Sequence, residues 1–359
     1  KYMSDDIIPK LTSRDVLLSP SLFDDFDKYE IYNKLVSEIK RYKSKLSNLD
    51  LVCGGPPCQG FSMANRQRII DDPRNNLYKA YLTFLKHTKP KFFLIENVKG
   101  MSNKIEEILG KKIKFIHTFH GHLLDDPEFS GLKSKVIVEL EKRFAKKSAK
   151  LVTVGRRVAD ELLEQNIGNR NQFVNIPPGV EPLKIPKAKP RKKITIGWIA
   201  RVTGVKNPLR ALEIAKLFPD AQFLIAGGGD MLERVKAQAP RNTKVLGWTD
   251  AAKLFADSDI ILSTSENEGM PVALIEAQLA GKPVVATDVG SVSEVILNHE
   301  TGIVTNKNAG SIASAVESLI LDKTTRDEMG RLATARAQAL FSVDRMINAH
   351  IELYKSIVK

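Results

Sequence analysis

Residues 265–296 read SENEGMPVALIEAQLAGKPVVATDVGSVSEVI. An apolar run, Ile260–Ser263, precedes this stretch, and a second, Pro283–Ala286, interrupts it. Between the two lies a segment with helical spacing, Val272–Ala280. Short apolar runs bounded by turn residues and separated by amphipathic segments read as strand–helix–strand units of a parallel sheet.

The same alternation extends outward. Upstream strands are predicted at Ile194–Ile199, Gln222–Ala226 and Lys244–Leu246, with helices at about Asn207–Leu217, Met231–Gln238 and Ala251–Ala256. Downstream, Ser291–Leu297 reads as a helix and Ile312–Val358 as mostly helical. Five prolines between Pro177 and Pro190, followed by the basic run Arg191–Lys193, read as an interdomain linker. Before the linker a second series has strands at Leu49–Cys53, Phe92–Val98, Ile113–Phe119, Leu151–Val154 and Phe173–Ile176. Its helices fall at about Asn76–His87, Lys104–Leu109, Leu132–Lys147 and Arg157–Gln165, and one more near Tyr29–Lys45. The pattern predicts an α/β chain with two Rossmann-like parallel-sheet domains.

The length of 359 residues suits two domains at about 150 residues each. No apolar run reaches the roughly 18 residues of a membrane span. No signal peptide is visible, and the two cysteines, Cys53 and Cys58, exclude a disulfide scaffold and point to a reducing cytoplasm. Residue 1 is Lys, so the natural start is expected to lie upstream. The net charge of +13 is uneven: residues 1–193 carry 37 Lys and Arg against 23 Asp and Glu, and residues 194–359 carry 18 against 19. A basic first half suits an anionic partner, nucleic acid or lipid, or a solvated lysine-rich surface.

Three loops of the second series follow predicted strands, where open parallel sheets bind ligands. One carries Arg201 and Lys206, one is Gly227-Gly228-Gly229-Asp230, and one runs from Ser265 to Val272 into a helix bearing Glu276. A helix start with free N–H groups attracts anions, and Gly269 admits a ligand close to the backbone. Two cations on a neighbouring loop suit a diphosphate, and a carboxylate within the helix suits ribose hydroxyls. Together they describe a nucleotide-diphosphate site. No metal-ligand cluster is visible.

Glu268 and Glu276, with seven residues between them, resemble the Glu-x7-Glu signature of retaining family-4 glycosyltransferases, which have the two-domain GT-B fold. The segment IGWIARVTGVKNPLRALEIAKLF, residues 196–218, is similar to that family's phosphate-binding segment. The resemblance covers about residues 103–359. It implies that Arg201 and Lys206 hold the diphosphate of a nucleotide-sugar donor, that Glu276 binds its ribose, and that Glu268 faces its sugar. It places Gly269, Met270, Pro271 and Val272 around the sugar and phosphate, and Gly227, Gly228 and Trp248 near the nucleotide. His120, in HTFHGH, resembles the family histidine that reaches across the cleft, with His122 beside it. The family's opening strands and glycine-rich acceptor loop are absent, which predicts donor binding or slow donor hydrolysis in place of full transfer.

Residues 49–62, LDLVCGGPPCQGFS, end a predicted strand in a turn that presents Cys58. Its spacing to Cys53 is not that of a metal or redox pair. With DDPRNNLYKAY at 71–81 and KFFLIENVKG at 91–100, this run resembles DNA cytosine-5 methyltransferases over about residues 1–101. The resemblance implies Cys58 as the nucleophile on a flipped cytosine and Glu96 as its acid, with Asp72, Arg74 and Leu77 in a further motif. S-adenosylmethionine and DNA are the cofactor and partner of this alternative. No Phe-x-Gly-x-Gly loop for that cofactor and no target-recognition segment are found, so methylation is not expected.

The two resemblances meet near Met101–Glu106 and make the first domain a hybrid. Boundaries are expected at 1–102 for the methyltransferase-like fragment, 103–186 for the rest of the first domain, 187–193 for the linker, 194–340 for the donor domain and 341–359 for a C-terminal helix packing back on the first domain. The five strands of the first half are expected in one sheet, with Cys58, Glu96 and His120 on its carboxyl edge. The basic helical stretch from Leu132 to Lys150 suits an anionic membrane surface or a lipid-linked acceptor, placing the protein in the cytoplasm at the inner face of the membrane. A wet basic face, or nucleic acid, is the alternative.

Overall fold

The computed structural model of the chain describes residues 51–54, 85–86, 92–95, 114–121, 132–188 and 190–358. Two units are present, Lys1–Ile113 and Lys114–Lys359. In the first, strand β1 (Leu51–Gly54) pairs in parallel with β2 (Phe92–Ile95), Leu51 opposite Phe92. Cys58, Asp72, Arg74, Leu77, Glu96 and His122 lie outside the described residues.

The second unit opens with β3 (Phe115–Phe119), α1 (Leu132–Lys147), β4 (Ser148–Thr153), α2 (Arg156–Glu164) and β5 (Phe173–Asn175). Its three strands form a parallel sheet in the order β3-β4-β5. Successive strand residues face opposite sides. Leu151 of β4 accordingly joins Phe119, Val158 and Leu162 on one side, while Val152 meets Ile176 and Leu353 on the other. Among the described residues the expected five strands are found as a β1–β2 ladder in the first unit and a β3-β4-β5 ladder in the second. An apolar run marks a strand; its partner is chosen by long-range packing.

The chain continues through β6 (Thr195–Ile199), α3 (Pro208–Leu217), β7 (Gln222–Ala226), α4 (Leu232–Gln238), β8 (Thr243–Gly247), α5 (Ala251–Ala256) and β9 (Ile260–Ser263). Then come α6 (Val272–Leu279), β10 (Val284–Thr287), α7 (Val292–Val295), β11 (Gly302–Thr305), α8 (Ala309–Leu321), α9 (Lys323–Leu340) and α10 (Val343–Val358). The six strands are parallel in the order β11-β10-β9-β6-β7-β8. Strand growth runs one way from β6 through β8 and the other way from β9 through β11. This is the doubly wound order, and it reverses between β6 and β9.

Helices cover both faces, so the inner strands are largely buried, while the edge strand β8 leaves Lys244 and Leu246 exposed. Ile196, Trp198, Phe223 and Ile225 pack with Leu212 and Val316 on one face, and Ile261, Val284 and Ala286 pack with Phe255 and Ile275 on the other. Strand β11 was not anticipated. It is short and begins with Gly302, where a Cβ would run into Val284 O. The last helix returns to the three-stranded sheet: Leu353 is buried against Val152 and Ile176, and Lys114 Nζ donates to Ile357 O at 2.7 Å. Among the described residues no helix is long and apolar enough to cross a membrane.

Candidate functional site

A cavity of about 170 Å³ opens at the carboxyl ends of β6 and β9, where the strand order reverses. Its walls include Arg201, Lys206, Glu268, Met270, Pro271 and Val272. All six are residues that the sequence analysis names, on two of its three loops. Lys206 Nζ lies 2.6 Å from Glu268 Oε1, and the Ser265 hydroxyl donates to the same oxygen at 2.7 Å. Both charged side chains are largely shielded, at 16% and 12% exposure. Arg201 stands exposed at the rim. Helix α6 starts beneath the cavity behind Pro271, with no side chain capping its first turn. A second, larger concavity, about 590 Å³ between α7 and β11, contains none of the predicted site residues.

The loop that carries Lys206 is held by a cluster that sequence reasoning missed. Asn207 takes a left-handed conformation (φ 45°), and its Oδ1 accepts from Arg210 N at 3.2 Å, which caps α3 ahead of Pro208. Its amide donates to Glu266 Oε1 at 2.7 Å, and Arg210 reaches that oxygen at 2.6 Å. Lys307 Nζ lies 3.4 Å from Glu266 Oε2. Glu266 N also donates to Val205 O at 2.8 Å, and the Thr264 hydroxyl lies 2.8 Å from Asn207 O. The turn at 204–207 is therefore fastened to the segment leading to Glu268. Burial pushes the Glu266 carboxyl up, but the Asn207 hydrogen bond and the Arg210 and Lys307 charges outweigh it and hold it below the usual carboxylate range. Asn followed by Pro at a helix start was the available signal for the cap.

The glycine loop follows β7. Gly227 has φ +130°, its N–H donates to Gly247 O at 2.8 Å, and a Cβ there would collide with Ala200 O. Gly228 lies under the Trp248 indole, which is 79% exposed. Gly227 and Gly228 are thus buried beside β6, with the exposed Trp248 indole over Gly228. Glu276 sits one turn into α6, half-buried, and desolvation holds its carboxyl above the usual range.

His120 meets the donor-side loop from the other sheet through its backbone. It follows β3, its side chain is exposed, and its carbonyl lies against Gly269 so closely that a Cβ there would not fit. Cys58 and Glu96 lie outside the described residues, so their proposed edge with His120 is not part of this geometry. Among the described residues no group of three or more His, Cys, Asp or Glu is placed to hold a metal ion.

Residues 180–336 match the family model described as glycosyl transferases group 1, and residues 27–120 match that of C-5 cytosine-specific DNA methylase. Glycogen synthase of Mycobacterium tuberculosis is 24% identical over 241 residues, covering 63% of this chain and 58% of that protein. The type II methyltransferase M.FnuDI of Fusobacterium nucleatum is 46% identical over 77 residues, covering 21% of this chain and 22% of that protein. Among solved structures, the Anabaena protein Alr3699/HepE in complex with UDP-glucose aligns with a TM-score of 0.65 and 16% identity over 91% of this chain and 95% of that one. The shared feature with that structure is the fold, an α/β architecture of parallel sheets. The chain therefore joins a segment resembling group 1 glycosyltransferases of GT-B fold to a fragment resembling cytosine-5 methyltransferases. It spans 58% of the matched synthase and 22% of the matched methylase.

Proposed function

We propose that this chain binds a nucleoside-diphosphate sugar at the β6–β9 switch point and acts on it as a retaining family-4 glycosyltransferase. The observation that carries the reading is the shielded Lys206–Glu268 pair at the head of α6, beside Arg201. Departure of a nucleoside diphosphate builds negative charge, and preplaced cations with uncapped helix N–H groups stabilise it without reorganising. Arg201 and Lys206 supply the cations. Glu268 faces the sugar, held by Ser265, and Glu276 takes the ribose hydroxyls. Gly227, Gly228 and Trp248 border the nucleotide, and His120 approaches the sugar from across the cleft. UDP-glucose in a fold neighbour supports this class of ligand. With a methyltransferase-like fragment in place of the family's acceptor half, we expect the transfer to be impaired and to show as donor binding or slow donor hydrolysis.

For the partner surface we assign α1. Lys135, Arg143 and Lys146 stand exposed beside Val136 and Leu140, which are 47% and 36% exposed. Cations flanking apolar groups on one helix face suit an anionic lipid surface. Co-sedimentation with anionic vesicles, but not with neutral ones or duplex DNA, is expected; retention by DNA alone would reverse the assignment.

The donor reading is tested by thermal shift with UDP, GDP, their sugar conjugates and S-adenosylmethionine. A ligand at about 100 times its Kd stabilises a folded protein by roughly 2.7 kcal/mol. A shift with one nucleoside diphosphate and none with S-adenosylmethionine is expected. A shift with S-adenosylmethionine alone would overturn the reading in favour of the methyltransferase alternative, and no shift with any of them would remove the donor site.

A further inference from the structure

Helix α2 has no cap of its own. It starts behind Gly155, which has no side chain to accept from the first-turn amides. Such amides need partners from elsewhere. They find them on the other sheet: Glu294 Oε2 accepts from Arg156 N at 3.0 Å, and Glu294 Oε1 from Arg157 N at 2.9 Å. Glu294 belongs to α7, behind β10. Gly155 is what lets α7 in, since a Cβ there would strike the Ser291 side chain. Arg157 also reaches Asp288 Oδ1 at 2.6 Å, and Arg336 donates to Glu294 O at 2.9 Å.

The turn that carries Glu294 also touches the donor loop. Ser291 N donates to Gly269 O at 2.9 Å, and Gly290 (φ +48°) packs against Glu268 O with no space for a side chain. Gly269 in turn lies against His120 O. On the opposite side, Val154 N donates to Phe119 O at 3.3 Å, tying the end of β4 to the end of β3. A closed circuit results, from His120 to Gly269, to Ser291 and Glu294, to Arg156 and Arg157, and back through Val154 and Phe119. The two sheets also share an apolar core in which Val158 and Leu162 join Leu274 and Val292. Apolar attraction has no direction. A carboxylate bonded to two backbone amides does, and the Arg156–Glu294 (3.7 Å) and Arg157–Asp288 ion pairs lie beside it.

We propose that Glu294 is a positioning residue: by capping α2 from across the cleft it fixes where His120 stands over the donor loop. The catalytic consequence rests on the donor reading; the cap itself does not. All the donor cations lie on the six-stranded side, so the cap governs turnover and leaves nucleotide affinity alone. Misplacing a reacting group by about 1 Å can cost on the order of 100-fold in rate.

The test compares the full chain with Glu294→Gln and Glu294→Asp by amide exchange, by UDP and GDP affinity, and by hydrolysis of the matching nucleotide sugar. Glutamine replaces one of the two accepting oxygens by an NH2 donor and removes the charge, so Glu294→Gln is expected to speed exchange at Arg156, Arg157 or both by about tenfold or more. Turnover should fall by at least tenfold while the nucleotide Kd stays within about twofold. Glu294→Asp keeps the charge on a shorter arm and should recover part of both. Unchanged exchange at both amides would overturn the cap, and parallel losses of affinity and turnover would overturn the positioning role. If Glu294→Gln also loses protection in the strands β6 and β7, it has unfolded, and Glu294→Asp decides by the same comparison. A wild-type chain that binds neither nucleotide overturns the donor reading and the role given to His120, while the exchange result still decides the cap.

Discussion

The six-stranded and three-stranded sheets contribute to one cleft by different means. The larger sheet offers side chains: Arg201, Lys206, Glu268 and Glu276 all belong to loops or helices that follow its strands. Among the described residues the smaller sheet offers mainly backbone: the His120 carbonyl against Gly269, and the start of α2 against Glu294. Charge recognition on one side and placement on the other are therefore separable, and substitutions on each side should fail in different ways.

The largest expected effect is Trp198→Ala, which attacks the frame of the larger sheet. Trp198 is 1% exposed and its Nε1 donates to the Thr264 hydroxyl at 3.0 Å, so it ties the β6 core to the segment beneath the donor loop. A loss of about 3–5 kcal/mol is expected in urea unfolding of the full chain. A loss under about 1 kcal/mol would contradict the packing described. Next comes Lys206→Ala, which removes a cation and leaves the shielded Glu268 carboxylate with only Ser265. Charge-assisted hydrogen bonds are worth about 1.5–3 kcal/mol, so nucleoside diphosphate affinity should drop by about 10- to 100-fold in calorimetry. An unchanged Kd would take the diphosphate off Lys206.

The seam between the sheets is probed by Gly269→Ala. A Cβ at Gly269 would meet backbone of His120 and Gly121, which cannot swing aside, whereas Gly204 has open space around it. Gly269→Ala should cost about 1–3 kcal/mol, while Gly204→Ala should stay within about 0.5 kcal/mol. Equal costs in thermal unfolding would mean that the two sheets do not meet as described.

The smallest effect concerns the titration of Glu276. Burial raises its folded carboxyl above the ordinary value. The folded state then holds this proton to higher pH than the unfolded state does, so Glu276 destabilises the fold as pH rises from the ordinary carboxylate range through the raised one. Glu276→Gln should be more stable than the parent above that window and level with it below about pH 4. A stability difference that does not change with pH would mean that Glu276 is not desolvated.

Much of the larger sheet is legible from spacing. Apolar runs at Ile194–Ile199, Gln222–Ala226 and Ile260–Ser263 lie within a residue of β6, β7 and β9, because strands buried on both faces are continuous apolar runs. The cavity residues are legible for the same reason, as the loops after those strands. What escaped the reading depends on contacts distant in sequence. Glu266, Arg210 and Lys307 look like ordinary surface charges until the fold brings 207, 266 and 307 together. Gly155 looks like a loop glycine until Ser291 and Glu294 occupy the space beside it. Gly302 hides a strand because its missing side chain weakens the β signal that its place beside Val284 requires.

Residue order alone determines the alternation of strand and helix, the switch-point loops with their cations and carboxylates, and the two family resemblances in one chain. Each is written in local spacing, which short segments carry without help. Tertiary structure alone decides that Lys206 pairs with Glu268, that β3, β4 and β5 pair in that order, and that α2 is capped by Glu294. The reason is physical: those choices are made by groups 22 to 138 residues apart, whose meeting is set by the packing of whole sheets.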